Sequence, residues 1–243
     1  IVERINEGYM PYRDLNLGYT PLYLYFLVLL KKIFGVGISY EFYLIVHFVF
    51  QYLSALFIYK ITFILTSKKL YSFYAALLFI LMAHWNEGNA VLLEIPSIFL
   101  GLWGLYLTIE TKKKLYTFIF AGLLFSLSFL VKQYGLGFFI LGLLSLILNR
   151  NTSINILLLF VSFIIPIIIC FMLFGQNFTR ILGGNGYGGD FEIKNVLNTI
   201  FYRTIYLFFR ISPVLAITYL FSVFTFKSKR KCGNNISSFI STT

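Results

Sequence analysis

The chain has 243 residues, of which 59% are hydrophobic and only 12% are charged, and its mean hydropathy is +0.83. This composition excludes an ordinary soluble globular domain and predicts that much of the chain lies in lipid. The formal net charge of +11 does not require a nucleic-acid partner, because the basic residues are spread between apolar segments and form no single face. We therefore expect Lys and Arg to contact the headgroups of membrane lipids, and we expect no nucleic-acid partner.

The first 40 residues are predicted to form one large loop outside the cytoplasm. Within this loop, residues 21–34 are apolar and compatible with a helix, with Pro21 at a favourable first-turn position. Lys31 and Lys32 prevent this segment from crossing the bilayer alone. We therefore expect a juxtamembrane helix that lies in the outer leaflet.

A transmembrane bundle is predicted to follow over residues 41–226, and residues 227–243 are expected to form a cytoplasmic tail. The predicted spans are residues 41–63, 70–83, 90–108, 115–131, 136–148, 154–174 and 206–226. The second and fifth spans are short for a hydrocarbon core that needs ~20 residues per helix. The expected fold is all-α, a polytopic bundle of about seven spans in a single integral membrane domain, residues 1–243.

Charged residues predict which ends of the spans face the cytoplasm. Basic clusters such as Lys112 to Lys114 fall on alternate connections, and short connections rich in Lys and Arg mark the cytoplasmic side. Eight of the nine carboxylates then lie on the extracytoplasmic side, and only Glu110 lies inside. Because the sequence starts without Met, in a hydrophilic segment that should follow a span, we expect it to be a fragment of a longer chain.

The most motif-like segment lies in the leading loop, between Gly8 and Tyr25. Together with the preceding Glu7, it combines two prolines and two glycines, which favour fixed turns, with two acidic residues, Arg13 and several tyrosines. This composition suits a well-ordered outer loop as well as a binding site. The pattern by itself names no reaction.

Residues 8–14 (GYMPYRD), followed by 19–22 (YTPL) and 34–35 (FG), resemble the first outer loop of membrane glycosyltransferases of the C superfold. This group includes dolichyl-phosphate-mannose protein mannosyltransferases and bacterial aminoarabinose transferases of lipid A. Thr20 stands where members commonly have the first proline of a Pro-Pro-Leu sequence. Residues 93–96 (LEIP) and 129–134 (FLVKQY) are also similar to family segments.

The resemblance implies transfer of a hexose or pentose, with inversion, from a polyprenyl-phosphate carrier to a glycan, lipid or protein acceptor. The site would face outward from a plasma membrane, with the bacterial inner membrane as the expected location. The carrier-linked sugar is a substrate, no cofactor is expected, and a metal requirement is left open. The family's catalytic Asp lies upstream of the Gly-x-x-Pro-Tyr stretch, hence upstream of Ile1, and neither Glu3 nor Glu7 matches its motif. We therefore assign no catalytic residue and expect the fragment to be inactive by itself.

The candidate substrate-binding residues are Tyr12, Arg13, Asp14, Glu94, Lys132, Gln133 and Tyr134. Lys132 is expected to pair with a lipid phosphate, and it equally suits an anchor that extends to the headgroups. Glu94 would orient the sugar or the acceptor, or would stabilise the positive end of a helix dipole. Asp14 has the same interpretations, with a turn to Asn16 or Leu17 as its structural role. We expect the side chains of Asp14, Glu94 and Lys132 to line one common cavity.

The alternative function is a transporter or flippase, or a polymerase, for lipid-linked glycans. A transporter commonly has repeated halves and charged residues near the middle of the membrane. Here no repeat is visible and the ionisable residues gather at the outer ends, which favours an outward-facing enzyme. A polymerase would face outward as well. His47, inside a predicted span, is interpreted as a hydrogen-bonded packing residue and not as a metal ligand.

Overall fold

The structure is a computed structural model that describes residues 2–10, 14–15, 21–35, 40–85, 93–110, 114–148, 152–175 and 178. All of these residues belong to one compact unit within residues 1–190. They form the helices α1 (Val2–Asn6), α2 (Leu22–Phe34), α3 (Tyr40–Thr66), α4 (Lys69–Trp85), α5 (Glu94–Ile109), α6 (Leu115–Val131), α7 (Gly135–Leu148) and α8 (Ser153–Phe174). No β-strand occurs in these ranges, so the predicted all-α class is confirmed for the described part.

The apolar segments of the sequence coincide with these helices. The juxtamembrane helix is α2, and six of the predicted spans correspond to α3 to α8, with α6 having the predicted bounds. The other helices differ from the prediction by a few residues at their ends, where assignments commonly vary. Helix α1 was not predicted, and the predicted span at residues 206–226 lies outside the described residues.

Two helices, α3 and α8, are long and apolar enough to cross a membrane, by length and composition. Helices α4 to α7 are apolar but have only 14 to 17 residues. Only 22% of the most apolar stretch of α3 and 17% of that of α8 is buried within the protein. Their outer sides therefore expose apolar side chains, and contact of such a surface with water is unfavourable.

Successive helices from α3 to α8 run in alternating directions. Ring pairs place α3 and α5 side by side in the same direction, and Ser97 at the start of α5 contacts Ser128 near the end of α6. Gly135 at the start of α7 lies against the same part of α6. The starts of α3, α5 and α7 thus share one end of the bundle, called here the Glu94 end. The opposite end, which contains Lys60 and Glu110, is called the Lys60 end.

The main core lies between α6, α7 and α8. Phe125 and Leu159 are fully buried there, and the rings of Phe139 and Phe163 stack with centroids 3.8 Å apart. A Cβ at Gly122 of α6 would collide with the backbone oxygen of Leu159, 2.5 Å away. Glycine is therefore needed for the close approach of α6 to α8, as at many helix contacts within membranes.

Helix α2 packs at the Glu94 end. Tyr23 and Leu27 of α2 form a buried cluster with Val131, the last residue of α6, and Leu93 packs against it. A second buried cluster, of Ile5, Leu15, Leu24 and Val28, joins α1 to the other side of α2. Helix α2 is therefore held beside both the start of α5 and the end of α6.

A column of aromatic rings follows the contact between α3 and α5 from one end of the bundle to the other. Consecutive ring centroids are 5.3 to 5.9 Å apart, within the favourable range for aromatic pairs. The rings, in order from the Glu94 end, are those of Tyr23, Phe26, Phe50, Phe99, Phe57 and Tyr106, and Trp103 stacks on the side of Phe57.

Candidate functional site at the Glu94 end

An ion pair joins the start of α5 to the end of α6. Lys132 Nζ lies 2.9 Å from Glu94 Oε1. Glu94 is the first residue of α5, where a carboxylate also stabilises the positive end of the helix dipole. Lys132 directly follows α6 and has an extended backbone. The Lys132 side chain is 22% exposed and that of Glu94 is 37% exposed, so the pair is partly enclosed yet accessible.

Two serines hold the same helices together one turn further into the bundle. Ser97 Oγ donates a hydrogen bond to the Ser128 carbonyl oxygen at 2.9 Å, and Ser128 Oγ donates to the Ser97 carbonyl oxygen at 2.7 Å. Both side chains are buried. Ser97 follows Glu94 by three residues on the same face of α5, and the Lys132 amide donates to the Ser128 carbonyl oxygen at 3.0 Å. This Ser97–Ser128 pair fixes the helix spacing that brings Glu94 and Lys132 together.

The turn from α6 to α7 carries the next two predicted residues, Gln133 and Tyr134. Lys132 Nζ lies 5.7 Å from the centroid of the Tyr134 ring, within the range of cation–π contacts. The Gly135 amide donates to the Lys132 carbonyl oxygen at 2.9 Å, which closes the turn. A Cβ on Gly135 would collide with the backbone of Ser128. Close packing of α7 on α6 thus holds Lys132 and Tyr134 side by side.

Two buried polar side chains lie beside the ion pair. His47 of α3 is fully buried, and the Glu94 carboxylate acts electrostatically on its ring. Neither ring nitrogen of His47 has a hydrogen-bond partner among the described residues, and the same holds for the hydroxyl of Tyr23, which is 2% exposed. The interpretation of His47 as a hydrogen-bonded residue is therefore wrong within the part of the chain that the structure describes.

The Tyr23 hydroxyl stays protonated over the physiological pH range. Burial raises the pKa of Tyr23 to about 12, and the neighbouring Tyr43 adds to the rise. A phenol in this form can both donate and accept a hydrogen bond.

Asp14 stabilises the turn that follows α1. The Met10 amide donates to Asp14 Oδ2 at 2.8 Å, and the Asp14 amide donates to the Met10 carbonyl oxygen at 3.0 Å. The adjacent Leu15 belongs to the buried cluster of α1 and α2. Outside the described residues lie two site candidates, Tyr12 and Arg13, and both predicted turn partners of Asp14, Asn16 and Leu17.

Of the predicted site residues, the structure brings together Glu94, Lys132 and Tyr134, with Gln133 in the same turn. The sequence analysis missed Tyr23 and the Ser97–Ser128 pair. Small hydroxyl residues inside apolar helices are typical of helix contacts, which was the available signal for the serines.

In the described ranges, no group of three or more His, Cys, Asp or Glu side chains could hold a metal ion. An ammonium and a carboxylate in contact can bind a phosphate and a hydroxyl group, respectively.

Comparison with protein-family models, with curated proteins and with solved structures finds no match to this chain. The function is therefore inferred from the geometry of the site and from the resemblance in the sequence.

Proposed function

We propose that this chain belongs to a membrane glycosyltransferase of the C superfold. The enzyme transfers a sugar, with inversion, from a polyprenyl-phosphate carrier to an extracytoplasmic glycan, lipid or protein acceptor. The observation that carries this proposal is the ion pair between Glu94 and Lys132 at one end of an apolar helical bundle. The resemblance of residues 8–14, 93–96 and 129–134 to family segments supports it further.

In the proposed arrangement about seven spans cross a plasma membrane, and the Glu94 end faces away from the cytoplasm. The exposed apolar sides of α3 and α8 support immersion in lipid. Lys68 and Lys114 lie next to helix termini of the Lys60 end, and Lys60 lies within the last two turns of α3. Since Lys and Arg near short connections mark the cytoplasmic side, these lysines support the proposal that the Lys60 end faces the inside.

Lys132 is the group that we assign to the phosphate of the carrier. The phosphodiester of a carrier-linked sugar has one negative charge, and further charge develops on the phosphate as the glycosidic bond breaks. An ammonium at this position therefore binds the transition state more strongly than the substrate, which is the condition for lowering the barrier. The partial exposure of Lys132 allows a phosphate to approach while Glu94 holds the lysine in place.

Glu94 is the group that we assign to a sugar or acceptor hydroxyl. A carboxylate has two oxygens and can accept several hydrogen bonds, so Glu94 can hold Lys132 and a hydroxyl at the same time. The catalytic base is not assigned to any residue of this chain.

The test measures sugar transfer by the full-length protein in liposomes that contain polyprenyl-phosphate mannose or aminoarabinose as the donor and are supplied with glycan, lipid or protein acceptors. We expect Glu94→Gln and Lys132→Ala each to abolish transfer, with a loss of about 100-fold or more, because electrostatic groups at a reacting centre commonly contribute that much. Expression and membrane insertion should stay intact, since both side chains are partly exposed.

Lys31→Ala is the matched control. Lys31 also forms an ion pair, with Glu3 at 3.4 Å, but this pair joins α1 to α2. We expect Lys31→Ala to retain turnover. Retained turnover in both Glu94→Gln and Lys132→Ala would remove the site assignment. Passage of the carrier lipid across the bilayer without cleavage of the glycosidic bond would instead support a flippase.

A further inference from the structure

Two polar side chains at the Glu94 end, Tyr23 and His47, are buried without hydrogen bonds to the other described residues. The hydroxyl of Tyr23 and both ring nitrogens of His47 have no hydrogen-bond partner in the ranges that the structure describes. Burial of a polar group without a partner costs free energy, and such groups are rare in folded proteins. Where a protein keeps them, a functional site is a common reason, because a ligand then supplies the missing bonds.

The two groups belong to the same contact between α2 and α3. Tyr43, His47 and Phe50 are spaced by four and three residues on α3 and therefore form one stripe. Tyr43 and Phe50 both pack against the buried cluster that contains Tyr23, and His47 lies between them on the stripe. Val131 of that cluster directly precedes Lys132. The stripe and Tyr23 thus lie next to the Glu94–Lys132 pair.

The chemistry of these groups selects a hydroxyl as their ligand. A neutral imidazole offers one donor and one acceptor, and a phenol offers both on one oxygen. A ligand hydroxyl likewise donates and accepts, so it can form one hydrogen bond with a ring nitrogen of His47 and another with the Tyr23 hydroxyl. An ionised phosphate oxygen only accepts, so it leaves the acceptor nitrogen of a neutral imidazole without a partner.

We propose that Tyr23 and His47 form a subsite that binds a sugar hydroxyl of the carrier-linked donor, while Lys132 binds its phosphate. This inference rests on the proposed function and deepens it, because it separates recognition of the sugar from recognition of the carrier. Both groups are enclosed in this structure. Binding of the sugar therefore requires that the contact around Tyr23 and His47 opens.

The experiment uses the full-length protein in lipid nanodiscs and compares His47→Leu and Tyr23→Phe with the wild type. It measures the thermal unfolding midpoint and the Kd of bare polyprenyl phosphate and of its mannose and aminoarabinose conjugates. We expect both variants to bind at least one sugar conjugate about tenfold more weakly, because a hydrogen bond in an enclosed site is lost. Binding of the bare phosphate should not change, whereas Lys132→Ala should weaken binding of all three.

The unfolding midpoint separates this role from a structural one. Because the replaced groups lack partners, His47→Leu and Tyr23→Phe should unfold at the wild-type temperature or above it. His47→Gln keeps a donor and an acceptor and should retain most of the sugar-dependent binding. Two controls remove hydroxyls elsewhere. The first is Ser126→Ala, because the buried Oγ of Ser126 also lacks a partner in the described ranges. The second is Tyr25→Phe, because Tyr25 lies on the exposed side of α2. Both controls should bind all three ligands as the wild type does.

Each contrary outcome has a distinct meaning. A lower unfolding temperature of His47→Leu, or sugar binding equal to wild type in both variants, overturns the subsite alone. Equal weakening of the bare and the sugar-bearing carriers assigns His47 to the phosphate and also overturns it. Failure of the wild type to bind even the bare carrier overturns the proposed function, and the subsite with it.

Discussion

The two ends of the bundle hold a lysine in different ways, although a glutamate lies at each end of α5. At the Glu94 end, Lys132 Nζ lies 2.9 Å from the Glu94 carboxylate. At the Lys60 end, Lys60 Nζ lies 5.3 Å from the centroid of the Tyr106 ring, and Glu110 accepts a hydrogen bond from the Tyr106 hydroxyl at 3.1 Å. The first arrangement presents a cation and an anion to a ligand, whereas the second suits an interfacial anchor. The partners of a lysine, more than its charge, therefore distinguish a candidate site from an anchor.

Gly135→Ala should have the largest effect of the series, because it disturbs helix packing at the Glu94 end. The added methyl group would collide with the backbone of Phe129 and Ser128, which cannot move aside as a flexible side chain can. Overpacking of this kind typically costs about 1–3 kcal/mol. We expect a loss of that size in the free energy of unfolding, measured by denaturant titration in detergent micelles, together with loss of sugar transfer.

Gly137→Ala is the matched control two residues along α7. A Cβ there would meet no atom within 4 Å. Since alanine favours helix more than glycine does, this variant should be unchanged or more stable by up to ~1 kcal/mol. Equal losses in the two alanine variants would contradict the close packing of α7 on α6.

The Ser97–Ser128 pair is the next most sensitive feature of the Glu94 end. We expect Ser97→Ala and Ser128→Ala each to lower the free energy of unfolding by about 1 kcal/mol, because each change removes a buried hydrogen bond between α5 and α6. The double variant should lose less than the sum. A double-mutant cycle with no coupling would show that the serines do not join the helices.

The hydrogen bond of Thr108, which lies within one helix, is the control for the Ser97–Ser128 pair. Thr108 near the Lys60 end is fully buried, and its Oγ1 donates to the Leu105 carbonyl oxygen of the same helix at 2.8 Å. Thr108→Val should therefore leave the coupling between α5 and α6 intact. It should also change stability less than either serine substitution.

Tyr106→Phe should have the smallest effect of the series. It removes the hydroxyl that donates to Glu110 but keeps the ring that faces Lys60. We expect a loss of about 0.5 kcal/mol in the same titration, the low end for a single hydrogen bond, and unchanged sugar transfer. Loss of transfer here would mean that the Lys60 end takes part in the reaction, and the contrast between the two ends would fail.

The positions of the helices could be predicted from the sequence because each apolar run ends at charged or turn-forming residues. For α6, Lys114 and Lys132 flank the helix on both sides, and its bounds were predicted to the residue. Helix α1 has only five residues, too few for a periodic pattern to appear.

The contacts within the candidate site could be predicted only in part. Glu94 stood out because an ionisable side chain at the level of the membrane is costly, and Lys132 because a lysine at an extracytoplasmic helix end runs against the usual charge bias. The register of α5 against α6, which brings together serines 31 positions apart, depends on side-chain packing and leaves no local trace in the sequence. The burial of His47 could be expected from its apolar neighbours. The absence of hydrogen-bond partners for its ring within the described residues could not.

The aromatic column gives the protein a built-in optical reporter. The chain has two tryptophans, and replacement of Trp85 by phenylalanine would leave Trp103 as the only indole fluorophore. The Trp103 ring lies 5.9 Å from that of Phe57 on α3 and 5.7 Å from that of Phe99 on its own helix. Indole emission shifts with the polarity of its surroundings, so the spectrum of this variant would register any opening of the contact between α3 and α5 without an attached dye.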